Sequence, residues 1–396
     1  MKKTTAVLLS ISLLLVFAGC MKQPPAPTNE PTIVPTIPAA TDTVPTEATL
    51  STQPPVTFDG PLLAFSAPLV SEEYRAADGS LVFTYTYQDI SLILEDPQIA
   101  DAVVIDYLNL IDYENSSAKH TLSDAKEAYT GGTDWIPYSF SMLFSPARFD
   151  AGILSLYGTQ VLYNGNIRPT TADTAVNYDL LSGRQLELKD VLVDGFSADT
   201  LCELICDALQ EMENQGMLYS DYAYVISELF STNRPVETWY FSDNGLCFFF
   251  APYEIAPYSA GTIIAEIPYA ELTDLLKEAY FPEEKIDLSG AVYLELFQDA
   301  ELSQVAQFAE LVIDETGSKY LLRTDGCLQN VRIEIGSQLE GEDFLVDTTV
   351  FAALTLCSSD GLMIQFPLDM PQSLRLSYED NGQPVSLDLS SLIAAD

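Results

Sequence analysis

His120 is the only imidazole in the 396 residues of this chain. That scarcity removes zinc sites built on HExxH and the multi-histidine centres of metal-dependent deacetylases, and it leaves a Ser-His-Asp arrangement only one base. His120 lies in the polar stretch 115–124, which reads as surface. The six cysteines are Cys20, Cys202, Cys206, Cys247, Cys327 and Cys357. Apart from Cys20 they are odd in number and cannot all pair within the chain. Cys202 and Cys206 stand four apart on a predicted helix, where Cβ atoms lie about 5–6 Å apart, farther than a disulfide usually spans. No CxxC pair exists, so neither a zinc ribbon nor a thioredoxin-like site is indicated. Settings such as Leu246-Cys247-Phe248 suit cysteines acting as small buried hydrophobes.

The carboxylates are the opposite case. With 58 Asp and Glu, some will fall together by chance, so a paired-carboxylate glycan hydrolase is compatible with the sequence but not specified by it. No EF-hand loop, phosphate-binding GxxxxGK[ST] or dinucleotide fingerprint occurs. No catalytic set, metal site or cofactor is therefore assigned. Trp135, within Gly131-Gly132-Thr133-Asp134-Trp135-Ile136-Pro137-Tyr138, has two readings. It either presents an aromatic anchor for a partner or packs at the edge of a sheet.

Cys20 has a specific chemistry. Lys2 and Lys3 precede an apolar run from Ala6 to Phe17, too short for a comfortable bilayer span, and Ala18-Gly19 lead into the cysteine. A charged start, a short apolar middle and small residues describe a secretory signal peptide. The ending Leu15-Val16-Phe17-Ala18-Gly19-Cys20 resembles the lipobox of bacterial lipoproteins. That resemblance implies cleavage after residue 19, diacylglyceryl modification of the Cys20 sulfur, and a chain tethered to the extracytoplasmic face of the cell membrane. Residues 20–57 follow as a linker holding nine of the 23 prolines and many threonines. Such a segment buries no core and extends at about 3.1 Å per residue, enough to lift a domain through the cell envelope.

The charge balance then bounds the partners. Against 58 acids stand 17 bases, a formal net charge of −41. This excludes nucleic acid and disfavours anionic lipid surfaces, while cationic partners are attracted. Disorder is excluded for most of the chain, because 47% of residues are hydrophobic, with 21 Tyr and 19 Phe to fill cores.

Residues 58–283 read as α+β. Phe83, Tyr85 and Tyr87 alternate with Thr84 and Thr86, a half-buried strand. Asp96-Pro97 supplies an N-cap and a first-turn proline for a helix through Val103 and Leu110. Strands are expected at Ile153–Tyr163 and Ala175–Leu181. Leu201, Leu204, Ile205, Ala208, Leu209 and Met212 share one face of a helix capped by Ser197, with Thr200 and Glu203 at capping-box spacing. Tyr222, Val225, Ile226, Leu229 and Phe230 mark a second helix. A hairpin turns at Ser242-Asp243-Asn244-Gly245, a strand covers Thr262–Ile267, and Leu272, Leu275, Leu276 and Tyr280 predict a closing helix.

Within this frame, Asn177-Tyr178-Asp179-Leu180-Leu181-Ser182-Gly183-Arg184 and Leu186-Glu187-Leu188-Lys189-Asp190-Val191-Leu192 resemble the "nfDlktGk…LsDlf" signature of an extracytoplasmic domain. Gly245 to Gly261 and Ile267-Pro268-Tyr269-Ala270-Glu271-Leu272 resemble its closing pattern. The domain is that of the lysozyme-responsive anti-sigma factor RsiV, also found ahead of some peptidoglycan deacetylases, and the likeness covers roughly residues 70–283. The chain departs from it in one loop. Where relatives carry Gly-Gly-Ala-His, this sequence reads Tyr163-Asn164-Gly165-Asn166-Ile167-Arg168-Pro169, with no histidine and one glycine. No sigma-binding part and no deacetylase domain accompany it.

Residues 284–396 read as mostly β. Seven short runs, at Val292–Phe297, Leu311–Ile313, Val331–Ile335, Thr348–Leu356, Leu362–Phe366, Leu374–Tyr378 and Val385–Leu389, suggest a small sandwich, with a turn at Asp380-Asn381-Gly382. The resemblance and the acidic charge together imply a surface-tethered binding module for a cationic protein such as lysozyme. Trp135, Tyr163, Asn164, Arg168 and Pro169 are its candidate contacts. A peptidoglycan-binding or accessory role in the cell wall is the first alternative, and the carboxylate-dependent hydrolase the second.

Overall fold

Alternating aromatic and hydroxyl side chains from Leu81 to Gln88 can bury only one face, and they do so as a strand inside a six-stranded sheet. The computed structural model describes residues 62–132, 134–231, 236–282, 292–296, 305, 307–337, 344–366, 373–380 and 383–390. Cys20, the apolar leader and the Pro/Thr-rich linker lie outside these residues, as do the boundary at 283/284 and the Asn381-Gly382 turn.

The chain enters through β1 (Ala64–Ser66), β2 (Leu69–Arg75), β3 (Leu81–Gln88) and β4 (Ser91–Ile93). Helix α1 (Pro97–Ala128) follows, then β5 (Tyr138–Phe149), β6 (Ile153–Tyr163), β7 (Thr170–Asp179) and the two-residue β8 (Arg184–Gln185). Strands β2, β3, β5, β6, β7 and β8 form the first sheet in that spatial order. β3 and β5 run parallel, as a helical crossover permits, and the other pairs are antiparallel. Asp96 accepts the Gln98 N–H at 2.9 Å and Pro97 opens α1, as the sequence predicts. The helix runs farther than expected and carries His120, exposed and 3.9 Å from Asp124. Its buried stripe of Val103, Tyr107, Ile111, Ala118 and Ala125 lies on Phe83, Tyr85, Phe140, Phe144 and Tyr178.

The opposite face of this sheet is covered by a second one, of β9 (Trp239–Phe241), β10 (Gly245–Phe250) and β11 (Ile263–Pro268), ordered β11-β10-β9. β10 is buried on both sides. Leu246, Phe248 and Phe250 join the core under α2 (Leu188–Val191), α3 (Ala198–Ala208), α4 (Gln210–Asn214) and α5 (Tyr222–Ser231). Cys247 and Phe249 turn the other way, with Tyr240, onto Ala147, Tyr157 and Ala175 of the first sheet. Period-two alternation in a run of six buried residues thus serves two cores. Ser197 caps α3 by accepting the Thr200 N–H at 3.2 Å. The expected closing helix is absent: Tyr269–Glu271 and Glu278–Tyr280 are separate 3-10 turns. The backbone between them is spent on α2, with Val193 N–H donating to Leu275 O, Lys277 N–H to Val191 O, and Leu192 bridging Leu276.

Farther on come β12 (Val292–Leu296), β13 (Gln307–Val312), β14 (Ser318–Thr324), β15 (Cys327–Ser337), β16 (Leu345–Cys357), β17 (Asp360–Phe366), β18 (Ser373–Asp380) and β19 (Gln383–Asp388). They form a sheet ordered β12-β14-β17-β13 and most of another ordered β19-β18-β15-β16-β1-β4. Leu311, Tyr320, Leu322 and Ile364 share one core with Val331, Ile333, Phe351 and Leu376, so the two sheets face each other. β14 is an addition to the seven expected runs.

The second of these sheets is completed from the far end of the sequence. β1 pairs with β16 in the register Ala64↔Ala353, and β4 pairs with β1. The hydrogen-bonded sheets therefore cross the expected division near residue 283. Gln88, wholly buried at the end of β3, donates to Thr348 Oγ1 at 2.8 Å and accepts the Phe144 N–H at 2.5 Å. Ser145 Oγ accepts the Thr349 N–H, and Arg332 reaches Pro146 O and Asp243. Cys327 and Cys357, directly opposed on β15 and β16, form a buried disulfide. The odd count of cysteines left such a pairing open without saying which two would form it, while Cys202, Cys206 and Cys247 are free thiols.

Candidate functional site

At one end of the first sheet the chain leaves α1, turns and enters β5. Tyr129 closes the helix by donating its N–H to Ala125 O at 2.9 Å. Gly131 and Gly132 then take φ of 81° and 116°, a region that side chains resist, so the chain can double back. Trp135-Ile136-Pro137 leads into Tyr138, the first residue of β5. On the neighbouring strand, Tyr163 ends β6 opposite Ser139, and the segment 164–169 returns to Thr170 of β7.

These two connections meet in a row of four rings. Tyr129 stands edge-on to Trp135 at 5.3 Å between centroids, Trp135 stacks on Tyr138 at 5.2 Å, and Tyr138 stands edge-on to Tyr163 at 6.2 Å. Each such pair adds roughly 0.5–1.5 kcal/mol beyond its buried area. The Tyr129 hydroxyl donates to Asp78 Oδ2 at 2.8 Å. The backbone N–H of Ser80, and then this hydroxyl, hold the Asp78 carboxyl below the ordinary aspartate range. Gly165, at φ 85°, lies so close to Tyr138 that an added Cβ would stand 2.6 Å from its hydroxyl. Only glycine lets the loop close onto the row.

The structure thus brings together Trp135 and the Tyr163–Pro169 loop, which the sequence singled out separately. Their roles differ. Trp135 is half-buried against the sheet end, with an indole N–H that finds no acceptor among the described residues. It forms the floor. The tips are Ile136, 63% exposed, and Ile167, 101% exposed, flanked by exposed Arg168 and Pro169. Asn164 is half-buried and accepts the Asn166 amide at 2.6 Å, which stiffens the turn. Tyr129, Tyr138 and the two isoleucines were missed. The available signal was an isoleucine set among Asn, Gly, Arg and Pro, where folding alone has no use for it. Such a surface offers apolar contact over a rigid aromatic base, with one guanidinium beside it, which are the ingredients of a protein-recognition hot spot. Among the described residues, no group of three or more His, Cys, Asp or Glu could hold a metal ion, and no helix is long and apolar enough to cross a membrane.

A second cluster serves assembly. Arg148 of β5, 3% exposed, donates to Asp150 Oδ2 at 2.6 Å, to the Tyr269 hydroxyl at 2.8 Å and to Tyr280 O at 2.6 Å. Its guanidinium also lies over the rings of Phe241 and Tyr269. Nearby, Ser155 and Asn177 share a 2.6 Å hydrogen bond, Asn177 donates to Trp239 O, and Phe241 N–H donates to Ser155 Oγ. Arg148 Nε and Nη1, the Ser155 hydroxyl and the Asn177 amide thus all find acceptors, as burial requires. These side chains dock β9 and the 3-10 turns on the first sheet, so the candidate surface stands on a rigid support.

Residues 189–270 match the family described as "Protein of unknown function (DUF3298)", and a DUF3298 domain therefore occupies that stretch. Among solved structures, the chain is similar to a DUF3298 family protein from Pseudomonas aeruginosa PAO1, at 16% identity and a TM-score of 0.42, covering 57% of this chain and 99% of the other. It is also similar to a member of that family from Bacteroides fragilis NCTC 9343, at 16% identity and a TM-score of 0.39, covering 55% and 94%. No curated protein matches the chain.

Proposed function

We propose that this chain, with its DUF3298 domain at residues 189–270, is a lipid-anchored extracytoplasmic binding module of the RsiV type that captures a cationic protein such as lysozyme. The observation that carries the reading is the meeting of Trp135 and the 163–169 loop in one aromatic row, with Ile136 and Ile167 left bare beside it. A fully exposed Ile167 beside a largely exposed Ile136, on a chain of net charge −41, is costly to leave in water and suits a surface that another protein covers. The acidic field would speed encounter with a basic partner, and the apolar tips would supply short-range discrimination. Export is supported by the leader over residues 1–19, directly ahead of Cys20, and by the buried Cys327–Cys357 disulfide, a bond that persists in oxidising compartments. The peptidoglycan alternative is less favoured at this site, because stacking on Tyr138 takes up a ring face of Trp135 that a sugar would need.

The test is titration of the chain from Pro54 to Asp396 with lysozyme and with cytochrome c, a basic protein of unrelated shape. Saturable binding of lysozyme that survives physiological salt, and that weakens at least tenfold in Ile167→Ser with folding unchanged, is expected. Equal, weak binding of both proteins that vanishes with salt would leave only the acidic field and overturn the reading. For the anchor, Cys20→Ala should abolish labelling by a fatty-acid probe in cells.

A further inference from the structure

The two edges of the first sheet are built differently. β2, at one edge, carries exposed Glu72, Glu73 and Arg75 and slips register between Tyr74 and Arg75. Charges and a bulge discourage the addition of a further strand. At the other edge, β8 pairs only with Tyr178 and Asp179 of β7. From Thr170 to Val176, β7 reads Thr-Thr-Ala-Asp-Thr-Ala-Val, with no proline, no lysine and no register shift against β6. Its one charge is turned into the sheet face, where Thr159 and Thr262 donate to the Asp173 carboxylate.

The backbone polarity of this edge follows from its neighbours. Asn177 O accepts the Leu186 N–H at 2.7 Å, while the Leu180 N–H points the other way, to Gly152 O. Period-two alternation then aims the N–H and C=O groups of Thr171, Asp173 and Ala175 away from β6. Among the described residues, nothing bonds them. Beside the Thr174–Asn177 end of this edge lies a groove of about 470 Å³, within the range of roughly 300–1,000 Å³ typical of ligand clefts, and the free edge continues from it through Asp173 and Thr171. Leu110 of α1 lines it above the sheet, Val236, Glu237 and Trp239 line it below, and Leu186 and Glu187 lie at its β8 end. The free edge spans about 24 Å at roughly 3.4 Å per residue.

We propose that this slot binds an extended, basic segment of another protein as a seventh strand beside β7. Main-chain bonds to Thr171, Asp173 and Ala175 would hold it, and alternate side chains would face Leu110 and the Val236–Trp239 wall. The preference for basic residues comes from the charges that line the groove among the described residues, Glu187 and Glu237. Lys189 lies 2.5 Å from Glu187, whereas no cation among the described residues pairs Glu237. The slot is distinct from the aromatic row, and neither proposal depends on the other.

The experiment uses the chain from Pro54 to Asp396 and three capped decapeptides: one alternating Lys and Val, one alternating Glu and Val, and the Lys/Val peptide N-methylated at every second residue. Submillimolar binding of the first is expected, at least tenfold tighter than either of the others, with slowed amide exchange at Thr171, Asp173 and Ala175. Ala175→Pro removes an outward donor that the β6 ladder does not use, and it should weaken binding at least tenfold. Should that variant misfold, Glu237→Lys, at an exposed position, should still weaken the Lys/Val peptide at least threefold. Ile167→Ser should leave peptide binding unchanged, which separates this slot from the lysozyme reading. No binding at millimolar peptide, equal binding of the N-methylated peptide, or a peptide-free dimer abolished by Ala175→Pro would each overturn the proposal.

Discussion

Replacing Gln88 with Leu would remove a side chain that ties β3 to β5 and to β16, strands from distant parts of the chain. Its amide Oε1 completes the Phe144 N–H beyond the point where β3 and β5 stop pairing, and its Nε2 holds Thr348 of β16. Leucine fills much of the same space but can do neither. The Phe144 N–H would be left buried without an acceptor, at about 1–3 kcal/mol, and the bond to Thr348 adds roughly 1 kcal/mol, so a loss of about 2–4 kcal/mol is expected. Urea unfolding of the chain from Pro54 measures this with two probes. Both tryptophans, Trp135 and Trp239, lie before residue 283, so fluorescence reports only that part, whereas far-ultraviolet circular dichroism also reports the β-strands beyond it. Because β1 and β4 complete the sheet containing β16, the two signals should coincide and shift together in the variant. A change below about 0.5 kcal/mol would refute the account of Gln88. Separate transitions, with only one displaced, would show that the two parts fold as independent domains.

Two further outcomes follow from buried groups. Arg148→Leu strips three short hydrogen bonds and leaves Asp150 without its cation, so a loss of about 3–5 kcal/mol is expected in the same assay, and a loss under 1 kcal/mol would show the cluster to be incidental. Burial pushes the Cys247 thiol up to about 12 and raises the neighbouring Tyr240 as well. An unfolded thiol ionises near 8.5, so the stabilisation from a neutral Cys247 is fully present below that pH and is lost as pH rises towards 12. The urea midpoint should fall between pH 8 and 11, and Cys247→Ala should flatten the decline; a midpoint that rises over this range would contradict the assignment.

Much of the local structure was legible because it is decided by neighbours in sequence. Phe83 and Tyr85 alternating with Thr, Asp96-Pro97 before α1, Ser197 before α3 and the Asn244-Gly245 turn each carry their own instructions. The closing helix misled for the same reason. Leu272, Leu275 and Leu276 have helical spacing, yet the backbone there bonds to the end of α2, a partner that lies some 80 residues earlier. Three-residue strands such as β1 and β4 carry no period at all, and β1 pairs with β16 nearly 290 residues away. The Cys327–Cys357 bond was equally hidden, since an odd number of cysteines does not say which two will face each other across a sheet. For the candidate surface, sequence alone determined the residue types, the aromatic Trp135 and a departing loop at 163–169. Only the tertiary structure decided that they meet on one ring, because a 32-residue helix and a parallel strand crossover set where Tyr138 begins, and Tyr138 is the ring on which both Trp135 and Tyr163 rest.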